Sequence, residues 1–193
     1  MSVIRSFGIQ SLAGTNFSQP LFGTLLQQAS QLSPDPYTGN TNPGSNPSMS
    51  QVFLEASLGF RVGDQIAIAP KANFAYPMSK IDVGIIKTFT PGTPYTLAVV
   101  EGLQFTHGID EYFVLNMPVA RLRIIRTTTS GIIYLGNGSD VSPTAISCFA
   151  IIPAMQTTPF EFVSGDQFSP YNTLEFWAYG TSGDSFVASW DAL

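Results

Sequence analysis

The chain has 193 residues, of which 44% are hydrophobic and only 11% charged, with a net charge of −5 and one cysteine, Cys148. A chain of this length can bury roughly 70% of its unfolded surface, so it needs neither disulfide nor metal to fold, and its charged fraction falls well below the usual figure of about 25%. No basic cluster exists beyond Arg121, Arg123 and Arg126, which argues against nucleic acid as a partner because phosphate neutralisation needs many basic contacts.

No apolar run approaches the roughly 20 residues of a spanning helix, so no membrane partner is expected. The first residues, MSVIRSFGIQSLAGTNF, lack the basic start and continuous apolar core of a signal peptide. The single cysteine excludes an intrachain disulfide and fits a chain made in a reducing cytosol.

Residues 1–50 read as an N-terminal arm. Their apolar island is Gln19-Pro20-Leu21-Phe22-Gly23-Thr24-Leu25-Leu26, where a brief helix over 21–29 is weakened by Gly23 and Thr24. Of the twenty residues from Gln31 to Ser50, fifteen are Pro, Gly, Ser, Thr or Asn, the composition of a linker or loop. An apolar island on such a tether orders when it meets a partner, so Leu21, Phe22, Leu25 and Leu26 are candidate partner-binding residues. A disordered tail is the alternative. On the arm reading, deleting residues 1–30 leaves the β region folded.

Residues 51–120 read as a small β-barrel-like module or compact sandwich. Val52, Leu54, Ala56 and Leu58 alternate with Phe53, Glu55 and Ser57, the pattern of a half-buried strand. Further strand signals lie at 66–68, 81–89, 96–100 and 111–115. Turns separate them at Val62-Gly63-Asp64-Gln65, Ala69-Pro70-Lys71, Pro91-Gly92-Thr93-Pro94 and Thr106-His107-Gly108.

Residues 121–193 give a second set, an antiparallel β-sandwich or jelly roll. Strands are expected at 122–127, 132–135, 145–152, 159–163, 173–179 and 185–190. Asn137-Gly138 predicts a tight hairpin between Ile132–Leu135 and a strand at Asp140-Val141. Phe186, Ala188 and Trp190 share one face of the last strand. The fold class is all-β, and the two β sets could equally fuse into one larger sandwich.

Residues that could carry chemistry are few. His107 is the only histidine; Asp110 and Glu111 beside it make it a conceivable base or metal ligand, but it reads more simply as a turn residue before Gly108. Cys148 lies in the apolar run SCFAII and reads as a small buried hydrophobe. The glycine-rich Gly136–Asp140 lacks the lysine of a phosphate-binding loop. Asp140, Asp166 and Asp184 could bind calcium only if their loops converge. On this reading there are no catalytic, metal-binding or cofactor-binding residues. Arg121 and Arg123 share a strand face that could meet the acids of a neighbouring subunit or pair within the chain, and they join the partner-binding candidates. Asn16-Phe17-Ser18 and Asn137-Gly138-Ser139 match the glycosylation pattern by chance on this reading.

Three pieces of sequence, in order, resemble a group of tailed-bacteriophage virion proteins. They are Gln19-Pro20-Leu21-Phe22-Gly23-Thr24; Phe60–Ile66 followed by Thr96–Val99 and Gly102–His107; and Ile133–Ser142 closed by Phe176–Asp184. The last is similar to the C-terminal β domains of phage decoration, neck and tail-associated proteins. The chain departs from their pattern at 146–155, which is apolar where a Gly-x-x-Leu turn is usual.

The resemblance implies a non-enzymatic virion protein made in the host bacterial cytoplasm, with no cofactor. Its implied role is a capsid decoration or cement protein. Its implied partners are itself, as a homo-oligomer and by analogy a homotrimer, and the major capsid protein or another virion protein. A neck, tail or head-fibre component is the alternative. A carbohydrate-binding module is a rival if Trp177, Tyr179 and Trp190 are exposed; a polysaccharide-degrading enzyme is a more distant one.

Overall fold

A computed structural model describes residues 4–8, 10–12, 17–32, 49–128, 130–145, 147–164 and 171–192. Within them the chain is all-β, with strands and two short 3-10 turns and no α-helix.

Six strands close a barrel: β4 (Gly23–Leu32), β5 (Met49–Leu54), β6 (Gln65–Ala69), β7 (Asp82–Thr90), β8 (Thr96–Glu101) and β9 (Tyr112–Leu115). They run around it in the order β4-β5-β8-β7-β6-β9, every neighbour antiparallel. The period-2 pattern sets which side chains fill it. Leu26, Val52, Leu54, Ile66, Ile68, Ala98, Val100 and Phe113 are fully buried in one apolar cluster. Closure removes the exposed strand edges that an open sheet would carry.

The remaining strands are β1 (Ile4–Ser6), β2 (Gln10–Ser11), β3 (Ser18–Pro20), β10 (Val119–Arg126), β11 (Ile133–Asn137), β12 (Cys148–Ile152), β13 (Phe160–Val163), β14 (Phe176–Tyr179) and β15 (Ser185–Ala192). They form two antiparallel sheets, β1-β15-β10-β13 with β2 also on β15, and β12-β11-β14-β3. After β10 the chain changes sheet at every step except β11 to β12. Leu122, Ile124, Phe186, Ala188 and Trp190 of one sheet share a core with Ile133, Leu135, Phe176 and Ala178 of the other. Phe186, Ala188 and Trp190 do face the same way, as their alternation requires.

The first fifty residues supply strands to both bodies, which corrects the reading of them as an arm. β1 and β2 pair with β15, and β3 pairs with β14. β4 pairs with β9 through Gly23–Leu25 and with β5 from Leu26 onward, shifting register between Leu26 and Gln28. That irregularity lets one strand turn a barrel corner. The brief helix over 21–29 is therefore a strand: ladder pairing on two sides outweighs local propensity. The ends of the Gln31–Ser50 linker, Gln31-Leu32 and Met49-Ser50, belong to β4 and β5; residues 33–48 lie outside the described residues.

Two seams join barrel and sandwich. In the first, Phe7 stands edge-on to Phe22, Phe60 and Trp190, with ring centroids 5.6, 5.0 and 6.2 Å apart. Arg5 of β1 crosses this seam to Asp64, in the turn before β6, at 2.6 and 2.8 Å, and its guanidinium lies 4.8 Å from the Trp190 ring. The second seam uses the barrel's outer face. Ala67, Ala69 and Val114 pack with Phe74, Val141, Leu174 and Trp177 in a separate cluster. Trp177 lies 5.7 Å from Phe74 and 5.2 Å from Tyr112, and its indole N–H donates to the Leu174 carbonyl.

Asn137-Gly138 does not make a tight hairpin. Asn137 ends β11, the connection runs from 138 to 147, and Asp140-Val141 is not a strand. Gly138 has φ +97°, and a Cβ there would lie 2.7 Å from the Phe74 carbonyl oxygen. The glycine is needed for close approach to the 3-10 turn Lys71–Phe74 as well as for its left-handed backbone. Ser139 reinforces the contact: its N–H donates to Phe74 O, its hydroxyl to Lys71 O, and its own carbonyl accepts from the Ser18 hydroxyl. The predicted strand over 173–179 begins instead as a 3-10 turn, Thr173–Glu175, with Asn172 and Glu175 forming a capping box.

Candidate functional site

The partner-binding candidates scatter. Leu21, Phe22 and Leu26 are fully buried in the chain's own core and Leu25 is half-buried. An apolar island that fills its own barrel and seam has little left to offer a partner. Arg121 and Arg123 alternate with buried Leu122 and Ile124, so they share the outer face as expected. Arg123 pairs within the chain, its Nε 2.8 Å from Glu161 of β13. Arg121 stands opposite Asp191 in the register with β15. Arg126 points inward.

Arg126 is held by four carbonyl oxygens, those of Thr128, Gly131, Ile152 and Pro153. It lies 3.4 Å from Asp184, whose carboxylate accepts hydroxyls from Thr128 at 2.9 Å and Ser130 at 2.6 Å. Burial pushes the Asp184 carboxyl up, but these hydroxyls and the Arg126 charge outweigh it and hold it below the ordinary value of 3.8. Asp184 is thus committed to the interior, at the opposite end of β11 from Asp140, and the calcium trio does not converge. Asp166 lies outside the described residues. No cluster of metal-ligating side chains occurs among the described residues.

This pair gives a pH-dependent prediction. Replacing Asp184 with Asn should cost about 3–5 kcal/mol near pH 7, because Arg126 stays buried without a counter-charge. Below about pH 3.8 the unfolded chain takes up protons that the folded carboxylate resists, so acid removes this contribution from the native protein alone. The gap between the two proteins should therefore narrow as pH falls through the folded value. Urea midpoints near pH 7 and near pH 3 test this; a cost under about 1 kcal/mol near neutrality contradicts it.

His107 is buried between two carboxylates. Its Nδ1 lies 2.7 Å from Glu111 and its Nε2 3.0 Å from Asp82, which also accepts the Gln104 and Phe105 N–H groups. Asp82 is 25 residues away in sequence, a partner that local reading missed. The imidazole braces the start of β7 to the segment leading into β9. Cys148 is half-buried, with its Sγ 3.5 Å from the Ala150 carbonyl. The tryptophans considered for sugar stacking are interior: Trp177 is 0% and Trp190 1% exposed.

A cavity of about 510 Å³ lies where the 138–147 connection meets the segment that follows the barrel's 3-10 turn. Phe149, Phe162, Tyr171 and Phe176 form its aromatic wall. Phe162 centres that wall, its ring 5.4 Å from Phe149, 5.5 Å from Tyr171 and 5.7 Å from Phe176. Tyr76, 67% exposed, lines it from the connection between β6 and β7. Asn137, Asp140 and Ser147 supply the polar part, with Asn137 N–H donating to Ser147 O at 2.9 Å across the base of the loop.

No family model, curated protein or solved structure matches the chain.

Proposed function

We propose that this chain is a non-enzymatic structural protein of a tailed-phage virion, a capsid decoration or cement protein that stabilises the head by bridging capsid subunits. The sequence resemblance supplies the class. The observation that supports the mechanism is a pair of sheet edges: β12 and β13, consecutive in the chain, each end a sheet and have no strand on their outer side among the described residues. Both edges carry exposed apolar side chains, Phe149 and Ile151 on β12 and Val163 on β13, with exposed Met155 between them. Free edges with apolar side chains invite pairing with another chain unless they are covered. In a shell of many copies, modest contacts of this kind reinforce one another. The buried tryptophans favour this role over the sugar platform built on Trp177, Tyr179 and Trp190.

The proposed assembly is a homo-oligomer, by analogy a trimer, joined mainly by apolar and backbone contacts at these edges. Screening acts on exposed charges and leaves buried apolar area nearly untouched. Sedimentation velocity of the purified chain should therefore give the same oligomer at low salt and near 1 M salt. A monomer in both conditions overturns the self-association. Dissociation at high salt alone would assign the interface to charged groups such as Arg121.

A further inference from the structure

We propose that the cavity between the 138–147 connection and the aromatic wall binds a neutral saccharide. The inference does not depend on the virion reading. Its volume, about 510 Å³, lies within the roughly 300–1,000 Å³ of small-ligand sites and leaves room for a mono- or disaccharide.

Two orphaned polar atoms carry the argument. Asn137 Oδ1 and Ser147 Oγ are both buried and both lack a hydrogen-bond partner among the described residues. Each such group costs about 1–3 kcal/mol if left unmade. Asn137 and Ser147 both line the cavity, and they sit at the two feet of one loop, held by the Asn137–Ser147 backbone hydrogen bond. A purely apolar ligand would leave them unmade; ligand hydroxyls would satisfy both. Asp140, exposed on the same lining, adds a strong acceptor for a further hydroxyl.

The aromatic wall selects among hydroxyl-bearing ligands. Phe149 and Tyr171 are 42% and 39% exposed although they belong to a ring cluster anchored by buried Phe176. The faces of such rings are electron-rich. A pyranose presents a patch of C–H groups on its faces and hydroxyls around its rim, so it can lie on the wall while its rim meets Asn137, Ser147 and Asp140. No Lys or Arg is among the described lining residues, and the one charged group is a carboxylate, which disfavours an anionic sugar or a phosphate.

The test is saturation-transfer NMR on the full chain with four probes: maltose, cellobiose, lactose and N,N′-diacetylchitobiose. Each is used at about 10 mM, where a site with a Kd of about 1 mM is nearly full. Transfer is expected from at least one. Phe149→Ala and Ser147→Ala should each weaken that probe roughly tenfold, equivalent to about 1.4 kcal/mol. Ser147→Ala should keep or raise the melting temperature, because it deletes an unpaired buried hydroxyl; lost binding with retained stability separates a ligand contact from a structural one. Tyr95→Ala, exposed and outside the cavity, should change nothing. No transfer from any of the four overturns the proposal. So does transfer that survives both Ser147→Ala and Phe149→Ala, or tighter binding of toluene than of every sugar.

Discussion

Deleting residues 1–30 will unfold the protein rather than trim it. The deletion removes nearly all of β4, and with it the ladders to both β5 and β9 that close the barrel. It also takes β1, β2 and β3 from the sandwich. Phe7, Leu12, Leu21, Phe22 and Leu26, all within this stretch, are at most 2% exposed. At about 1.5–3 kcal/mol for each buried side chain, their loss amounts to on the order of 10 kcal/mol, as much as a whole domain's net stability of about 5–15 kcal/mol. The truncated chain should show no cooperative melt by circular dichroism and poor dispersion by NMR. A truncation that melts cooperatively near the wild-type temperature would contradict the strand assignment and restore the arm.

The second large effect belongs to Asp64. Its carboxylate receives both Arg5 contacts and the Arg61 N–H at 2.8 Å, and both side chains of the ion pair are almost wholly buried. Replacing Asp64 with Ala strands the Arg5 charge against Trp190 and the Gly59 carbonyl, at a cost of about 3–5 kcal/mol. Removing both charges together, Arg5→Met with Asp64→Leu, should recover much of that loss, since an apolar replacement of a buried pair is often neutral or stabilising. Arg123→Ala is the contrast. Its pair with Glu161 is about one-third and one-half exposed, and its loss should cost no more than about 1 kcal/mol. Equal denaturation midpoints for Asp64→Ala and Arg123→Ala would contradict the account of the seam.

Both effects rest on contacts between segments far apart in the chain, which no local sequence signal encodes. The strands of 51–120 were legible because alternation and turn residues are local signals: β6, β7, β8 and β9 lie close to where Ile66–Ile68, Ile81–Phe89, Thr96–Val100 and Glu111–Leu115 placed them. The same alternation placed Phe186, Ala188 and Trp190 on one buried face. β4 was not legible, because Leu25-Leu26-Gln27-Gln28 does not alternate and barrel closure is a non-local event. Asn137-Gly138 has the local signature of a turn, but the close neighbours of Gly138 are Phe74 and Tyr76, more than sixty positions earlier.

Charge pairing was equally hidden. Arg5 and Asp64 are 59 residues apart, and nothing in either neighbourhood names the other. The cavity followed the same rule. Tyr76, Asn137, Ser147, Phe162 and Tyr171 come from five separate segments, and only the docking of the 138–147 connection on the barrel gathers them. The residues singled out for sugar stacking, Trp177 and Trp190, were the conspicuous aromatics; they went to the seams because large apolar rings gain most from burial.

The most direct measurement of the proposed virion role is a cryo-electron microscopy reconstruction of purified phage particles whose genome encodes this chain. The account predicts density for the barrel and sandwich at repeated positions on the outer head surface, with the β12 and β13 edges turned toward a neighbouring chain. A reconstruction whose protein density is fully accounted for by other chains, with this one absent from the particle by mass spectrometry, would contradict it.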